Sequence, residues 1–314
     1  MLQNQRLAPN HGSPRELFST PVDIAFITVN YNTLECVTQL TKSFSSLDVP
    51  FTFTLTVVDN DSRDGSQEFL QSHPEINYLR MEENIGYGRA INRGVAATAS
   101  KYVCVTNTDV TLNREALIKL WTFLEERHDV GVCAPRITYE DGRDQGMIFQ
   151  PHLFSHYANW FAKIVASSWK LKIAKAIAPL RVDGVGGAFF LIRRSVIQLP
   201  LFDEDFFFFY EDTALSHALK NRGVPCFVIP DAVIVHVGGK SRSTNSISFF
   251  YESKYRYLNK FYGPLHAKGI YFMDRIRILR KWSLYSLFSL VSASERVKFK
   301  QRYYKIAWNT ARLR

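Results

Sequence analysis

Tyr102-Val-Cys-Val-Thr-Asn-Thr-Asp109 is the stretch on which the fold turns. An apolar run leads into a short polar tip that ends in a carboxylate. An open α/β sheet gathers its ligand at the C-terminal ends of its strands. An acid just past a buried strand is therefore a candidate for holding a divalent cation, and through it a diphosphate. The same tip also reads as an ordinary turn whose Asn or Asp caps the next helix. The other strand ends decide between the two.

Working outward, residues 23–30 and 51–58 read as buried strands, 76–81 as a short strand, and 102–106 and 130–137 as two more. Helical patterns fill 34–47, 66–72 and 113–127, and a glycine-rich turn opens a further helix through Asn92 to Ala99. Strands alternating with helices predict an α/β fold, a mostly parallel sheet flanked by helices. Its strand ends deliver Thr28, Asn30 and Tyr31, then Asp59, then Asn84 and Gly86 with Asn92, then Asn107, Thr108 and Asp109. Such groups suit a nucleotide: an Asp accepts from a base N–H or from ribose hydroxyls, and glycine lets backbone approach closely. Turn chemistry accounts for any one of these ends. Four in register point to a site.

Size and composition bound the rest. The 314 residues are enough for one large α/β domain with appendages, and 46% hydrophobic residues is normal for a chain with a real core. Cys36, Cys104, Cys133 and Cys226 are scattered with no metal-binding spacing, and read as buried free thiols of a reducing compartment. Residues 1–20 read as a flexible lead-in without a signal peptide's apolar centre. Residues 265–314 hold 12 Lys/Arg against two acids, Asp274 and Glu295, while the remainder balances at 27 of each sign. That basic, helical extension therefore carries the whole net charge of +10. Its apolar stretch Trp282–Ser292 is far short of the ~20 residues a spanning helix needs. Leucines and aromatics between basic clusters suit a helix lying on an anionic membrane surface. A helical pair packed on the rest of the chain or on another subunit is the alternative. No nucleic-acid motif accompanies the charge.

Seven motifs in order carry a resemblance. They are Thr28-Val-Asn-Tyr-Asn32; Val57-Val-Asp-Asn-Asp-Ser62 with Asp64-Gly65-Ser66; Asn84-Ile-Gly86 with Ala90-Ile-Asn92; Asn107-Thr-Asp109; Gly186-Gly-Ala-Phe-Phe-Leu-Ile-Arg193; Phe202-Asp203 with Phe208-Phe-Tyr-Glu-Asp212; and Pro230-Asp-Ala-Val-Ile-Val-His236. Together, over roughly 22–262, they resemble family 2 glycosyltransferases of the GT-A fold, in particular the bacterial rhamnosyltransferase-like branch. The resemblance implies a donor half over 21–137, an acceptor half over 138–264, and the basic extension from 265.

It also implies an inverting sugar transfer, in which an acceptor hydroxyl attacks the anomeric carbon opposite a leaving nucleoside diphosphate. Such a reaction needs stabilisation of the leaving group and a base for the hydroxyl. By resemblance, Asp109 and His236 are the metal ligands, for Mg²⁺ or Mn²⁺, and Asp212 is the base with Glu211 as the alternative. The family's usual Asp-x-Asp carries Asn107 at its first position here, a weaker ligand. Asp183, Gly187, Phe209 and Tyr210 are candidates for the acceptor side. Trp160 or Trp169 is a further acceptor contact, and Lys170, Lys172, Lys175 and Arg181 suit a lipid diphosphate. Lys240, Ser241 and Arg242 read as a loop closing over the donor phosphates. The expected donor is dTDP-rhamnose, then a UDP-hexose. The expected acceptor is a bacterial polysaccharide or lipid-linked glycan, met at the cytoplasmic face of the cell membrane. Two other readings stay open: a non-catalytic sugar-nucleotide-binding or scaffold protein, favoured by Asn107, and a sugar nucleotidyltransferase, disfavoured because no Gly-rich basic loop follows Asn30.

Overall fold

The computed structural model describes residues 18–146, 148–149, 156–157, 159–238, 246–291 and 294–310. Lys240, Ser241 and Arg242, the side chain of Trp160 and most of the lead-in lie outside the described residues. The chain runs β1 (Phe18–Asn30), α1 (Leu34–Ser45), β2 (Phe53–Asp59), α2 (Ser66–Gln71), β3 (Asn77–Arg80), α3 (Tyr87–Ala96), β4 (Thr98–Thr106), β5 (Val110–Thr111), α4 (Arg114–Glu126) and β6 (Val132–Thr138). It continues with β7 (Ile148–Phe149), α5 (Asn159–Lys175), β8 (Leu180–Val182), β9 (Gly184–Val185), β10 (Phe189–Arg193), α6 (Glu211–Asn221), β11 (Cys226–His236), α7 (Ser246–Tyr262), α8 (Pro264–Val291) and α9 (Glu295–Thr310).

The main sheet has the order β3-β2-β1-β4-β10-β6-β11-β5, with β8 paired to β11. β3, β2, β1 and β4 are parallel. β10 lies antiparallel between β4 and β6, so one sheet runs through both expected halves. The apolar runs mark strands because they are buried on both faces. In β4, Tyr102 and Cys104 join one core cluster with α1 and α4, whereas Val103 and Val105 join another on the opposite face with α3. That is the period-two alternation of a strand between two helical layers. The helices read true to type: α1 buries Cys36, Val37, Leu40, Thr41 and Phe44 along one stripe.

Two ends differ from expectation. β4 starts at Thr98, four residues before the apolar run, and β1 at Phe18, inside the expected lead-in. Phe18 pairs with Thr98, so each extension gives the other its partner. The glycine-opened helix starts earlier, at Tyr87, and packs hard on the sheet: a Cβ on Gly94 would meet Ile27 Cγ2 at 2.5 Å.

α7, α8 and α9 form a third cluster, in which Phe206 and Ala214 pack with Tyr255, Tyr257, Leu258, Ile270, Ile278 and Ala307. Its buried ion pair joins Lys254 of α7 to Asp274 of α8 at 2.6 Å. Among the described residues no helix is long and apolar enough to cross a membrane. All four cysteines are free and buried.

Candidate active site

The ends of β1 and β2 are tied together before any ligand arrives. Asn30 Nδ2 donates to Asp59 Oδ2 and to Ser62 Oγ, each at 2.9 Å, and Asn30 Oδ1 accepts from Thr33 Oγ1. Asp59 Oδ1 accepts from Ser62 N at 2.9 Å. Asn30 and Asp59 are fully buried, as is Thr28, whose hydroxyl has no partner, while Tyr31 stands on the rim at 47% exposed. Asp64 caps α1 by accepting from Leu34 N at 2.8 Å. Burial opposes its ionisation, but bonds from Ser66 and Leu34 outweigh that and hold its pKa below the usual range.

The next loop is shaped by its own side chains. Asn84 Oδ1 accepts from Asn60 Nδ2 at 2.9 Å and from Gly86 N at 3.0 Å. Gly86 has φ +90°, and a Cβ there would lie 2.5 Å from the Phe207 carbonyl oxygen, which accepts from Tyr87 N. Only glycine fits this crossing. Asn92 sits apart from the strand ends. Both poles of its amide are used on Phe202 backbone at 2.8 Å, which fastens the segment leading to the acids.

β4 and β11 bring Asn107, Asp109 and His236 together. Asp109 Oδ1 lies 3.1 Å from His236 Nε2, and Asp109 Oδ2 accepts from Gly238 N at 3.0 Å. Burial pushes the Asp109 pKa up, but the His236 contact and the Gly238 N–H outweigh it, so the net shift is downward. Asn107 Nδ2 is 3.2 Å from His236 Nε2. Thr108 offers its hydroxyl 3.3 Å from that of Thr33. The other side of the imidazole is clamped by Gln145, whose Nε2 donates to the His236 carbonyl and whose Oε1 faces Nδ1 at 2.8 Å. With the Gln145 amide NH₂ spent on the carbonyl, Oε1 must accept, so Nδ1 carries the proton. Nε2 faces the Asp109 oxygen at hydrogen-bond distance, and also the Asn107 amide. A carboxylate oxygen and an imidazole nitrogen held this close form a cleft that suits a cation. Asp109 and His236 offer two candidate ligands; among the described residues no cluster of three or more His, Cys, Asp or Glu could hold a metal. An oxygen and an imidazole nitrogen, with the remaining positions left to phosphate oxygens and water, fit Mg²⁺ or Mn²⁺.

The acids of α6 lie on the far side of Tyr87. The Tyr87 hydroxyl donates to Asn107 Oδ1 at 3.1 Å and lies 3.5 Å from the Gly187 carbonyl oxygen. Gly187 N in turn donates to Asp212 Oδ2 at 2.8 Å. A Cβ on Gly187 would meet the Asp212 side chain at 3.2 Å, so this glycine sets where the carboxylate stands. Asp212 Oδ1 accepts from Thr213 N. Burial, then the charges of Glu211, Asp212 and Asp109, drive the Tyr87 pKa well up. Glu211 itself is buried, with Oε2 unpartnered. Burial and the neighbouring Asp212 charge push its pKa to about 8, so it is protonated at neutral pH.

Phe209 and Tyr210 precede the acids at φ +67° and +68°. Bulky residues rarely adopt this region, and strain of this kind concentrates at functional sites. Their rings pack on Phe208 and Phe250, and on Tyr257 and Phe250, respectively. Asp183 is paired with Lys220 at 3.0 Å, at the far end of α6. The Trp169 ring is covered by Lys172, and the stem of Lys170 lies over Gly146. Sequence reading missed Tyr87 and Gln145. Tyr87 had a signal, an aromatic hydroxyl directly after a helix-opening glycine. Gln145 had none, since Asp141-Gly-Arg-Asp-Gln145 reads only as a turn.

Comparison with known proteins agrees with this architecture. Residues 25–199 match the family described as Glycosyl transferase family 2. N-acetylglucosaminyl-diphospho-decaprenol L-rhamnosyltransferase of two Mycobacterium tuberculosis strains is 24% identical over 202 residues, 58% of this chain. The chain spans 66% of the length of those relatives. Among solved structures, the mannosyltransferase PcManGT of Pyrobaculum calidifontis, in complex with GDP-Man and Mn²⁺, is similar at TM-score 0.56 and 15% identity, over 98% of this chain and 90% of that one. S. aureus TarS 1-349 in complex with UDP-GlcNAc is similar at TM-score 0.52 and 17% identity, over 92% of this chain and 89% of that one. The sheet order and the polar strand ends thus have their explanation in ancestry: the chain belongs to glycosyl transferase family 2 and has the GT-A fold.

Proposed function

We propose that this enzyme moves a sugar, with inversion at the anomeric carbon, from a nucleoside diphosphate to a hydroxyl of a bacterial polysaccharide or lipid-linked glycan. One observation carries the reading: the Tyr87 hydroxyl spans from Asn107, beside Asp109 and His236, to Gly187, which holds Asp212. A candidate diphosphate site and a candidate base thereby flank a single ring.

On the donor side, the base and ribose meet the crevice of Thr28, Asn30, Tyr31 and Asp59, and the diphosphate runs toward Asp109 and His236. A bound Mg²⁺ or Mn²⁺ supplies Lewis-acid stabilisation of the departing diphosphate. Gln145 keeps the Nε2 side of the His236 ring turned toward that position, and Asn107 lends its carboxamide. Asp212 takes the proton of the acceptor hydroxyl as it attacks. Glu211 is the poorer base, because it is already protonated and lacks hydrogen-bond partners for the charged form. Phe209 and Tyr210, held on a strained turn, line the approach of the acceptor. A rhamnosyl donor is favoured by the relative's name, and we take it as dTDP-rhamnose, with a UDP-hexose next. The lipid-linked acceptor rests on the same name. The partner surface is the inner face of the cell membrane, met through the basic extension, and four free buried cysteines accord with that reducing side.

Calorimetric binding of dTDP, UDP, GDP, CDP and their sugars, with and without Mn²⁺, tests the donor. Metal-dependent binding of dTDP or UDP species is expected, and a flat response to every diphosphate refutes the reading. Asp109→Ala should abolish the metal dependence of binding. Asp212→Asn should leave donor binding intact and lower turnover by about 10²–10⁴-fold. Turnover that persists in Asp212→Asn rejects that residue as the base.

A further inference from the structure

Helix α8 is apolar on two opposite sides. Ala267, Ile270 and Ile278 are buried with the ion-paired Asp274, against the aromatic face of α7 and Ala307 of α9. Half a turn away run Leu265, Phe272, Ile276, Leu279, Leu287 and Leu290. Their spacings of seven, four, three, eight and three residues keep them on one line of the helix. All six are exposed, from 43% at Leu279 to 84% at Leu265. Single exposed leucines need no explanation. A continuous apolar line about 38 Å long, at 1.5 Å per residue, does.

The charge around that line is one-sided. Lys268 and Arg280 are exposed on α8 about a sixth of a turn to either side of the line, and α9 adds the exposed cations Arg296, Lys298, Arg302 and Lys305. Of the two acids in this region, Asp274 is buried beneath Lys254, and Glu295 is shared by Lys298 and Arg302. We infer that the exposed line of α8 docks the enzyme on an anionic lipid surface, with its leucines at the acyl boundary and the flanking cations on the headgroup phosphates. Two copies meeting on this face would bring like-charged surfaces together, which disfavours a dimer. Crossing the membrane is not open to α8, since its opposite face is committed to the protein.

The docked face communicates with the site through α7. Ser253 Oγ donates to the Phe208 carbonyl at 2.8 Å, the Tyr257 ring lies 5.4 Å from that of Tyr210, and Lys254 is held by Asp274 of α8. A lipid surface under α8 thus lies one helix away from the strained turn before the acids. This takes its purpose from the lipid-linked acceptor proposed above, but it stands on α8 alone and fails separately.

The test is cosedimentation of the full chain with vesicles of phosphatidylcholine, with and without phosphatidylglycerol. Wild type should sediment with the anionic vesicles, less so as salt is raised. Ile276→Ser/Leu279→Ser/Leu287→Ser should weaken that binding by about tenfold or more, and Lys268→Glu/Arg280→Glu should remove the preference for anionic lipid. These positions are exposed, so the melting temperature and dTDP or UDP binding should not change, which separates a failed surface from a failed enzyme reading. Wild type that stays in the supernatant overturns the inference. So does a triple variant that sediments like wild type, whether or not its oligomeric state on a sizing column has changed.

Discussion

Substituting Glu211→Gln should remove a pH-dependent weakness of the fold. The carboxyl is buried beside Asp212, one oxygen has no partner, and its pKa is pushed from the ordinary 4.5 to about 8. The folded chain therefore keeps a proton that the unfolded chain has released. The contribution of this group is fully present below about pH 4.5, declines as pH rises, and is lost above about pH 8. The slope in that window is about 1.4 kcal/mol per pH unit, so a shift of three to four units sets an upper bound of about 5 kcal/mol. Local relaxation and water entry bring the realised figure to about half of that. Glutamine has nearly the same shape and does not titrate. Urea unfolding of both proteins from about pH 5 to pH 9 is the assay, because every other ionisable group cancels in the difference. The variant should match wild type near pH 5 and exceed it by about 2–3 kcal/mol near pH 9. A difference that is flat with pH, or a variant that is weaker at high pH, refutes a buried, protonated Glu211.

Two further outcomes follow from side chains that sequence reading did not single out. Gln145→Leu should release the His236 ring and weaken Mn²⁺ binding by about 10–100-fold, read by the paramagnetic signal of free Mn²⁺, with the melting temperature little changed; unaltered affinity refutes the clamp. Asp274→Asn should strand the charge of Lys254, whose pKa burial already lowers, and cost about 3–5 kcal/mol in urea unfolding. The double replacement Lys254→Met/Asp274→Leu should recover most of that loss, and a single variant as stable as wild type would show that Lys254 sheds its proton without penalty.

The parallel part of the sheet was legible because β1, β2 and β4 are buried on both faces and so write themselves as unbroken apolar runs. The left edge of β4 and the start of β1 were not, since residues 98–101 and 18–22 become strand only through each other. The motif residues of the strand ends were legible as polar tips, but their division of labour was not. Asn30, Asn84 and Asn92 are alike in sequence. In the fold, Asn30 braces Asp59, Asn84 shapes a loop, and Asn92 grips Phe202, 110 residues away. Glu211 and Asp212 are adjacent in sequence, yet the first turn of α6 buries one and sets the other on Gly187 N. The charge of the extension was plain from composition. The two-sided character of α8 needed the structure, because its apolar residues fall on both sides of the helix and blur any single stripe.

The position of β10 constrains how this enzyme can be rebuilt. That strand comes from the second half of the chain but sits hydrogen-bonded between β4 and β6, both from the first. A hybrid that grafts residues 21–137 of another transferase onto this acceptor region must therefore rebuild two strand-to-strand seams at its centre, where Phe190 faces Val105 and Leu191 faces both Cys104 and Cys133. Single replacements at the rim, where Tyr31 is exposed, leave both seams intact.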